Sequence, residues 1–341
     1  MKHRICLFSP YGGSGNVSGI EVRLRKVAKH LHALGHEVHV VGPHALIEGA
    51  TTHRFSLDVP LWRRPSKSLQ AGRIIRKLDP TVVILEGPAI LWGIGRRPVF
   101  QMIHDSKFAT KHRRRGGRLL WLYYFVMCRI YSRTITVSNA ERRRIASSLW
   151  LRSDKLLVSY NGIGDNWLEV PERPEKTFDL LYVSNFAPHK GHTRLIKALV
   201  GEGLSVAFVG GDLGALADAQ QATADFGINA SYFRNLSDAD LIALYDRSRV
   251  FAFPSHLEGF GIPFLEARAR GLPVVASDIE VFRELADKIG GAIVDFDDQA
   301  AVLSAIAKAM EEARAQPKTI GQFTWREIAR DLMAAISRSP V

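Results

Sequence analysis

Short apolar runs alternate along this chain with longer segments in which apolar residues recur every three or four positions. The first run covers residues 4–9, and after a loop over 10–18 the helical pattern extends over 19–34 and ends at Gly35. A second run covers 37–41, so the chain opens with the order strand, helix, strand. This order predicts a parallel sheet covered by helices.

The same alternation continues to the end of the chain and predicts two sheets. The first half has further apolar runs at 81–85, 99–103 and 134–137, and a segment rich in proline and charge follows at 167–176. A second series begins at Phe178, with runs at 205–209, 230–233, 250–253, 274–276 and 292–294. We therefore predict an α/β protein of two Rossmann-like, doubly wound domains, 1–168 and 177–322.

Length and composition agree with two globular domains. The chain has 341 residues, of which 46% are apolar and 23% are charged. No apolar run approaches the ~20 residues of a membrane span, and residues 1–8 are typical of a strand and not of a signal peptide. We expect a cytoplasmic protein whose two cysteines, Cys6 and Cys128, are buried thiols without a disulfide.

The charge is strongly asymmetric. Residues 1–165 carry 28 Lys and Arg against 10 Asp and Glu, a net charge of +18, whereas residues 166–341 carry 18 against 24, a net charge of −6. The first half is therefore expected to meet an anionic partner, such as a membrane surface, a phosphorylated acceptor or nucleic acid. Charge alone leaves all three open.

The glycines of the first loop do not fit a dinucleotide site. Gly13, Gly15 and Gly19 have the spacing G-x-G-x-x-x-G, which is one residue longer than the dinucleotide fingerprint. The second strand also ends at Gly42 without an acidic residue for a ribose hydroxyl. A nicotinamide-dependent dehydrogenase is therefore disfavoured.

The stretch 254–278 has the composition of a phosphate site. Gly259 and Gly261 lie between an apolar run and a helix expected to open near Pro263, and the backbone N–H groups of Gly261, Ile262 and Phe264 are predicted to be unpaired there. Glu258 and Glu266 would repel a phosphate, so we interpret them as partners of sugar and ribose hydroxyls. An ordinary helix start with an acidic first turn explains each part separately.

The complete pattern is more specific. The sequence E-G-F-G-I-P-F-L-E over 258–266, followed by A-R-A-R-G-L-P-V-V-A-S-D, closely resembles the donor-site signature of retaining glycosyltransferase family 4. The resemblance implies the GT-B fold, in which two Rossmann-like domains face a cleft and a final segment, here 323–341, crosses back to the N-terminal domain. It implies an N-terminal acceptor domain and a C-terminal donor domain, with no cofactor and no catalytic metal.

The same resemblance assigns site residues. It implies catalytic roles for Lys190, Glu258 and His104, the last at a strand end and followed by Asp105. Asn185 departs from the family, in which Arg is common, and Asn235 stands where Gly is common. The donor-binding residues implied are Gly12, Gly13, Asn185, Lys190, Asn235, Gly259, Phe260, Gly261, Ile262 and Glu266.

The segment 107–133 is the least usual part of the chain. A basic cluster precedes the apolar and aromatic run 119–127, which is too short to span a bilayer. Cations beside Trp and Tyr suit a membrane headgroup region, and a core helix with a solvated basic loop explains the pattern equally well. The predicted membrane or acceptor contacts are Arg113, Arg114, Arg115 and Trp121.

We therefore predict a retaining, metal-independent hexosyltransferase. The donor would be a nucleotide diphosphate-sugar such as GDP-mannose or a UDP-sugar, and the acceptor a lipid-linked or polysaccharide or lipopolysaccharide precursor. The enzyme would be cytoplasmic, with a possible peripheral position on the inner face of the cytoplasmic membrane. Alternatives are a GT-B nucleotide-sugar epimerase and, with less support, a basic nucleic-acid-binding protein.

Overall fold

A computed structural model describes residues 2–11, 19–44, 46–60, 63–106, 108, 115–169, 175–312 and 314–338. The chain divides into two compact units. Unit 1 comprises Met1–Asn161 and Trp325–Val341, and unit 2 comprises Gly162–Thr324. Each unit is built around its own parallel sheet.

Unit 1 contains a sheet of seven strands. In chain order they are β1 Arg4–Phe8, β2 Glu37–Gly42, β3 Thr51–Arg54, β4 Val82–Leu85, β5 Val99–Ile103, β6 Arg133–Thr136 and β7 Leu156–Val158. All pairs are parallel, and the order in the sheet is β3-β2-β1-β4-β5-β6-β7. β1 therefore has β2 on one side and β4 on the other. The loops that follow β1 and β4 meet where the strand order reverses, and ligands bind at such a switch point in doubly wound sheets.

Helices cover this sheet because their apolar residues recur at helical spacing. They are α1 Gly19–Ala33, α2 Arg64–Leu78, α3 Arg115–Ile130 and α4 Asn139–Leu149. α1 buries Leu24, Val27 and Leu31 on one face. The Ser138 hydroxyl caps α4 by accepting a hydrogen bond of 3.0 Å from the backbone N–H of Glu141.

Unit 2 repeats the plan with six parallel strands, β8 Phe178–Val183, β9 Ser205–Val209, β10 Asn229–Phe233, β11 Ser248–Phe253, β12 Val274–Ser277 and β13 Ala292–Val294. Their order is β10-β9-β8-β11-β12-β13, so the switch point lies between the loops after β8 and β11. The helices are α5 His192–Ala198, α6 Leu216–Asp225, α7 Asp238–Arg247, α8 Ile262–Ala269, α9 Glu280–Ile289 and α10 Gln299–Glu311.

The last helix, α11 Trp325–Ser337, belongs to unit 1 and packs against α1. Its buried face includes Trp325, Ile328, Leu332 and Ile336, which recur every three or four residues. This spacing gives the helix one apolar stripe. The N-terminal and C-terminal ends of the chain therefore share one hydrophobic core.

The predicted fold class of two doubly wound parallel sheets is confirmed. Several details differ from the sequence analysis, and one is that β7 was not among the predicted strands. β3, with the sequence T-T-H-R, was not predicted, because an edge strand without large apolar residues has no alternating apolar signal. The predicted linker began at Trp167, but this residue lies in the 3-10 helix Asp165–Trp167 of unit 2, where its ring is buried against Tyr245.

Both cysteines are buried and free, as predicted. Burial raises the pKa of the Cys6 thiol to about 12 and that of the Cys128 thiol to about 11. These thiols are therefore protonated at neutral pH. No helix in the described part of the chain is long and apolar enough to cross a bilayer.

Candidate functional site

In unit 2, the two loops of the switch point are held in direct contact. Gly191, after β8, has a positive φ of 72°, and a Cβ atom placed there would lie 2.4 Å from the carbonyl oxygen of Pro254, after β11. The backbone N–H of His256 donates a hydrogen bond of 3.0 Å to the carbonyl of His189. Only glycine permits this approach, so the sequence K-G at 190–191 fixes one loop against the other.

Lys190 and Glu258 meet at this contact. The Lys190 Nζ donates a hydrogen bond of 2.7 Å to Glu258 Oε1, and the two side chains are 19% and 12% exposed. The Tyr182 hydroxyl donates to the Lys190 carbonyl at 2.6 Å, so the backbone of the lysine is fixed as well. The sequence analysis predicted both residues for the donor site, and the structure joins them in one ion pair.

α8 begins beside this ion pair. Gly261 precedes the helix with a φ of +98°, and a Cβ atom there would lie 2.8 Å from the Phe282 ring. One of the three N–H groups predicted to be unpaired is not, because the N–H of Phe264 donates to the carbonyl of Gly261 at 3.0 Å. This bond is a tightened first turn, which sequence spacing does not reveal. Ile262 is the first residue of the helix.

Phe260 and Gly259 precede this helix start. The Phe260 side chain is 3% exposed, and its ring centroid lies 6.4 Å from that of Phe323. The side chain of Phe260 therefore anchors the loop in the core of unit 2. Any contribution of Phe260 to donor binding would come from its backbone.

Glu266 lies one turn into α8. It accepts a hydrogen bond of 2.9 Å from the hydroxyl of Tyr245 on α7. Burial raises the pKa of Glu266 to about 7, although the Tyr245 hydrogen bond acts in the opposite direction. Near neutral pH this carboxyl group is therefore more easily protonated than an ordinary glutamate.

The two asparagines that depart from the family pattern have defined roles in the loops. Asn185 Oδ1 accepts a hydrogen bond of 3.0 Å from the backbone N–H of Gly211, which ties the loop after β8 to the loop after β9. Asn235 has a positive φ of 54°, a conformation that glycine adopts without strain and that asparagine tolerates best among the other residues. The frequent glycine at this position is thereby explained.

Sequence reasoning missed Arg194 and His192, which lie on α5 directly after Lys190. The Arg194 guanidinium pairs with Asp297 at 2.7 Å and Asp295 at 3.0 Å. His192 lies between Phe186 and Tyr182, with ring centroids 4.3 and 4.6 Å away, and burial lowers its pKa to about 4. Its ring is therefore neutral. Proximity to Lys190 was the only available signal for either residue.

In unit 1, His104 follows β5 and Glu86 follows β4. The His104 Nε2 lies 2.8 Å from Glu86 Oε2, and the Glu86 side chain is only 3% exposed. Burial opposes ionisation of Glu86, but the hydrogen bond with His104 and the charges of His104 and Arg23 hold its pKa below the usual value. The predicted His104 thus has a charged partner. Asp105 follows His104 at the strand end and is partly buried.

Arg23 is the buried cation of this network. It is 1% exposed on α1, and its guanidinium donates to the Tyr160 carbonyl at 2.7 Å, to Ser159 Oγ at 2.8 Å and to Asn161 Oδ1 at 3.0 Å. Sequence analysis missed both Arg23 and Glu86. The position of Glu86 directly after a predicted strand was a usable signal for one of them.

α3 presents two apolar faces. Tyr124, Met127 and Cys128 are buried on one face. The other face has Leu119, Leu122, Val126 and Ile130, at 73%, 52%, 40% and 67% exposure. The helix therefore has a core face and an exposed apolar face, so the core-helix interpretation holds for the first, and membrane binding by the second stays a prediction.

Trp121 lies beside the exposed face of α3 and is partly buried. Its indole N–H donates to the Ser148 carbonyl at 3.1 Å, and its ring stacks on Phe125 with a centroid distance of 5.0 Å. Trp150, at 74% exposure, packs edge-on against both rings. Arg115 is the first residue of α3. Gly12, Gly13, Arg113 and Arg114 lie outside the described residues.

Profiles of two glycosyltransferase families match consecutive parts of the chain. The profile described as Glycosyltransferase Family 4 matches residues 17–166, and the profile described as Glycosyl transferases group 1 matches residues 165–323. The boundary between the matches lies at residues 165–166. Together the two profiles cover residues 17–323, which include every strand except β1.

Characterised proteins resemble parts or most of the chain. The O-antigen chain mannosyltransferase RfbU of Salmonella typhimurium is 31% identical over 193 residues, which are 55% of this chain and 53% of that protein. The chain thus matches about half the length of this relative. The GDP-mannose-dependent alpha-mannosyltransferase of Mycolicibacterium smegmatis is 25% identical over 355 residues, and the match covers 93% of each chain.

Solved structures share the fold. A glycosyltransferase from Rickettsia africae superposes with a TM-score of 0.77 at 20% identity, covering 99% of this chain and 100% of that one. HepE of Anabaena, in complex with UDP and glucose, gives a TM-score of 0.79 at 18% identity, covering 98% and 99%. At this identity the similarity concerns the fold alone.

Proposed function

Starting from the fact that this chain belongs to glycosyltransferase family 4 and has its GT-B fold, we propose that it transfers a hexose from a nucleotide diphosphate-sugar to an acceptor hydroxyl. The observation that carries the proposal is the ion pair of Lys190 and Glu258 at the switch point of unit 2, next to the start of α8. Lys190 and the start of α8 match the diphosphate of such a donor, and the Glu258 carboxylate matches the hydroxyl groups of its sugar. All three lie at one edge of the sheet.

Negative charge develops on the diphosphate as the glycosidic bond breaks. Lys190 would stabilise this charge together with the backbone dipoles at the start of α8. Glu258 accepts a hydrogen bond from the Lys190 Nζ, which orients the cation. On binding, Glu258 would accept hydrogen bonds from sugar hydroxyls while the diphosphate takes over as the partner of Lys190.

Glu266 would bind the ribose. Its carboxyl group lies one turn into α8 and already accepts a hydrogen bond from Tyr245. An ionised carboxylate has further acceptor sites for ribose hydroxyls. Because the donor supplies these hydrogen bonds, binding would favour the ionised form and release a proton near neutral pH.

We propose that the donor domain is unit 2 and the acceptor domain unit 1. In unit 1, the hydrogen bond between His104 and Glu86 fixes the imidazole at the carboxyl end of β5. This is the edge of a parallel sheet at which ligands bind. His104 would approach the transferred sugar from there, and Glu86 would act through His104 as a positioning residue.

Retention of the anomeric configuration and independence from metal are further parts of the proposal. Retention follows the general behaviour of the family. Lys190 supplies the positive charge that a divalent ion would otherwise provide. We expect that EDTA leaves the transfer rate unchanged, and abolition by EDTA with rescue by Mg²⁺ or Mn²⁺ would overturn this part.

GDP-mannose is the first candidate donor, because RfbU and the protein from Mycolicibacterium smegmatis are both named as mannosyltransferases. UDP-glucose is the second, because HepE was solved with UDP and glucose. Saturation-transfer NMR with GDP-mannose, UDP-glucose and UDP-galactose tests the proposal. The wild-type protein should bind one of these nucleotide sugars selectively, and Lys190→Ala should abolish this binding. If the wild-type protein bound none of the three, the proposed donor site would be contradicted.

The epimerase and nucleic-acid alternatives are not favoured, since the family profiles, the relatives and the solved structures reported above are those of glycosyltransferases. Product analysis without an acceptor separates the first alternative from the proposal. An epimerase would convert the free nucleotide sugar into its epimer. Without an acceptor, a transferase would at most hydrolyse the nucleotide sugar and release the free sugar.

We also propose a peripheral position on an anionic membrane, mediated by the exposed face of α3. Leu119, Leu122 and Ile130 on this face are each more than half exposed, and the segment 106–140 contains eight Lys and Arg and no acidic residue. Apolar side chains beside cations favour the interface of a bilayer with anionic lipids. A lipid-linked glycan precursor at this surface would be the acceptor.

A further inference from the structure

A pocket of about 260 Å³ lies at the switch point of unit 1, beyond the carboxyl ends of β1 and β4. Tyr11 follows β1, and Pro88, Ile90 and Trp92 follow β4. This location is where a doubly wound sheet binds its ligands. The pocket is formed by other side chains than the His104 and Glu86 pair.

The wall of the pocket is fixed by close backbone packing. A Cβ atom at Gly72 on α2 would lie 1.7 Å from the carbonyl oxygen of Trp92, so only glycine allows α2 to approach the loop after β4. Gly93 has a positive φ of 75°. The Tyr131 hydroxyl accepts a hydrogen bond of 3.2 Å from the N–H of Leu91. The loop is therefore held in one conformation before any ligand binds.

The polar groups of the pocket are largely engaged within the protein. The Tyr11 hydroxyl donates to the carbonyl of Pro88 at 3.0 Å. The Tyr123 hydroxyl accepts a hydrogen bond of 2.8 Å from the N–H of Ala89 and lies 2.7 Å from the Ala89 carbonyl oxygen. What these residues offer to a ligand is mainly the faces and edges of their rings.

Most of the remaining lining is apolar, with the Ser68 hydroxyl as an added polar group. Leu57, Pro65, Ile90 and Trp92 line the pocket, and Ile90 and Trp92 are 43% and 57% exposed. A sugar ring requires several hydrogen-bonding partners, and the tyrosine hydroxyls of this pocket are already bonded within the protein, which leaves Ser68, Arg64 and the Trp92 indole as its polar side chains. A hydrocarbon chain requires no hydrogen-bonding partner, and it would remove the exposed Ile90 and Trp92 surface from water.

One cation belongs to the pocket. Arg64, near the start of α2, is among the lining residues. Its charge acts on Tyr11, whose pKa burial raises and Arg64 lowers, with an opposing contribution from Asp58. The pocket therefore combines an apolar interior with a guanidinium group, a combination that matches a hydrocarbon chain attached to a phosphate.

We propose that this pocket binds the hydrocarbon segment of an amphiphilic acceptor, with the adjoining phosphate near Arg64. The proposal deepens the proposed function and rests on it, because it assigns a binding site in unit 1 to the hydrocarbon and phosphate of a lipid-linked acceptor. It places chain recognition on Trp92 and Ile90 and phosphate recognition on Arg64. The membrane face of α3 is not needed for it.

Isothermal titration with farnesyl phosphate, farnesol and inorganic phosphate, each below any micelle concentration, tests the pocket. Farnesyl phosphate should bind to the wild type. Trp92→Ala should weaken this binding about tenfold, and Ile90→Ser should weaken it by a smaller factor. Arg64→Met should weaken farnesyl phosphate about fivefold and leave farnesol unchanged. Inorganic phosphate alone should bind at least 100-fold more weakly than farnesyl phosphate.

Trp150→Ala is the matched control, since Trp150 is an exposed tryptophan of the same unit outside the pocket. It should bind farnesyl phosphate as the wild type does. Thermal unfolding of each variant checks that it is folded, and Ile90→Ser keeps the test informative if Trp92→Ala unfolds. Equal farnesyl phosphate binding by the wild type, Trp92→Ala and Ile90→Ser would overturn the proposal.

Donor binding separates this result from the proposed function. Trp92→Ala should bind the nucleotide sugar as tightly as the wild type, because the pocket contains no residue of unit 2. Absence of donor binding in the wild type itself would contradict the transferase assignment. Intact donor binding with unaltered farnesyl phosphate binding in the pocket variants would contradict only the acceptor pocket.

Discussion

The switch points of the two units share a topology and differ in chemistry. In unit 2 the loops after β8 and β11 bring together Lys190 and Glu258 beside the start of a helix. In unit 1 the loops after β1 and β4 enclose a mostly apolar pocket, and the buried Glu86 forms a separate hydrogen-bonded pair with the partly buried His104. Topology thus fixes where a ligand binds, and the side chains on the loops decide which ligand it is.

The two regions also use glycine for the same purpose. Gly191 allows the loop after β8 to contact the carbonyl of Pro254, and Gly72 allows α2 to contact the carbonyl of Trp92. In each case a side chain would collide with backbone. Both sites are therefore preorganised by backbone contact, one around charged groups and one around a mostly apolar pocket.

The largest effect is expected from removing the cation of unit 2. Lys190→Ala should lower the transfer rate about 10²- to 10³-fold, because the charge that develops on the diphosphate loses its stabilising partner. The turnover rate at saturating donor concentration measures this loss. Lys197→Ala is the matched control, since Lys197 is an exposed lysine at the other end of α5, and it should retain full activity. Full activity of Lys190→Ala would remove the lysine from the mechanism.

The basic character of unit 1 gives the second prediction. Replacing Arg113, Arg114 and Arg115 together by Ser should weaken binding to vesicles of phosphatidylglycerol about 100-fold at low salt, because each cation contributes about 1 kcal/mol near an anionic surface. Vesicle sedimentation measures this partition. Unchanged binding of the triple variant would contradict a role for the basic cluster.

The apolar part of the same surface can be tested separately. Leu122→Ser on the exposed face of α3 should weaken vesicle binding severalfold, because an inserted leucine side chain is lost. Leu213→Ser, at an exposed leucine of unit 2, is the control and should bind as the wild type does. If both variants bound equally, the α3 face would not be the contact.

Substitutions of Glu86 and Glu258 should differ in their effect on stability. Glu86→Gln should lower the free energy of unfolding by about 2 kcal/mol, because a buried carboxylate hydrogen-bonded to His104 is replaced by a neutral amide. Glu258→Gln should leave stability nearly unchanged and lower the transfer rate, since its partner Lys190 is partly exposed to solvent. Urea unfolding and turnover, measured on both variants, test the contrast. Equal losses of stability in Glu86→Gln and Glu258→Gln would contradict this difference.

A further effect is a pH dependence from Glu266, whose pKa burial raises to about 7. If the ionised form binds the ribose, nucleotide affinity should fall about tenfold between pH 8 and pH 6, because the ionised fraction falls by that factor. Glu266→Gln should bind more weakly at pH 8 and show no such slope. Nucleotide titrations at several pH values measure both.

The stability effect of Glu266 has the opposite sign. Since its folded-state pKa lies above the ordinary value of 4.5, ionisation is less favourable in the folded protein. Its contribution to stability is therefore greatest below pH 4.5 and is lost as the pH rises through about 7. Glu266→Gln should be more stable relative to the wild type at pH 8 than at pH 5, and an equal difference at both would contradict the raised pKa.

Several elements were predictable because their signal is local. The apolar runs and the helical spacing predicted two parallel sheets, and the pattern around Glu258 and Glu266 predicted the family. The edge strand β3 was missed because its T-T-H-R sequence carries no apolar alternation. Phe264 was misjudged because a tightened helix turn depends on backbone geometry that the residue types do not specify.

The sequence by itself determined the fold class, the family and the identities of the chemical groups, since periodicity and motif spacing are properties of the chain alone. Only the tertiary structure decided which groups meet. The pairs Lys190 with Glu258 and His104 with Glu86 are 68 and 18 residues apart in sequence, and adjacent strands bring each pair to one sheet edge. The apolar pocket at Trp92 likewise exists only because Gly72 lets α2 approach a distant loop, and the local pattern contains no trace of that contact.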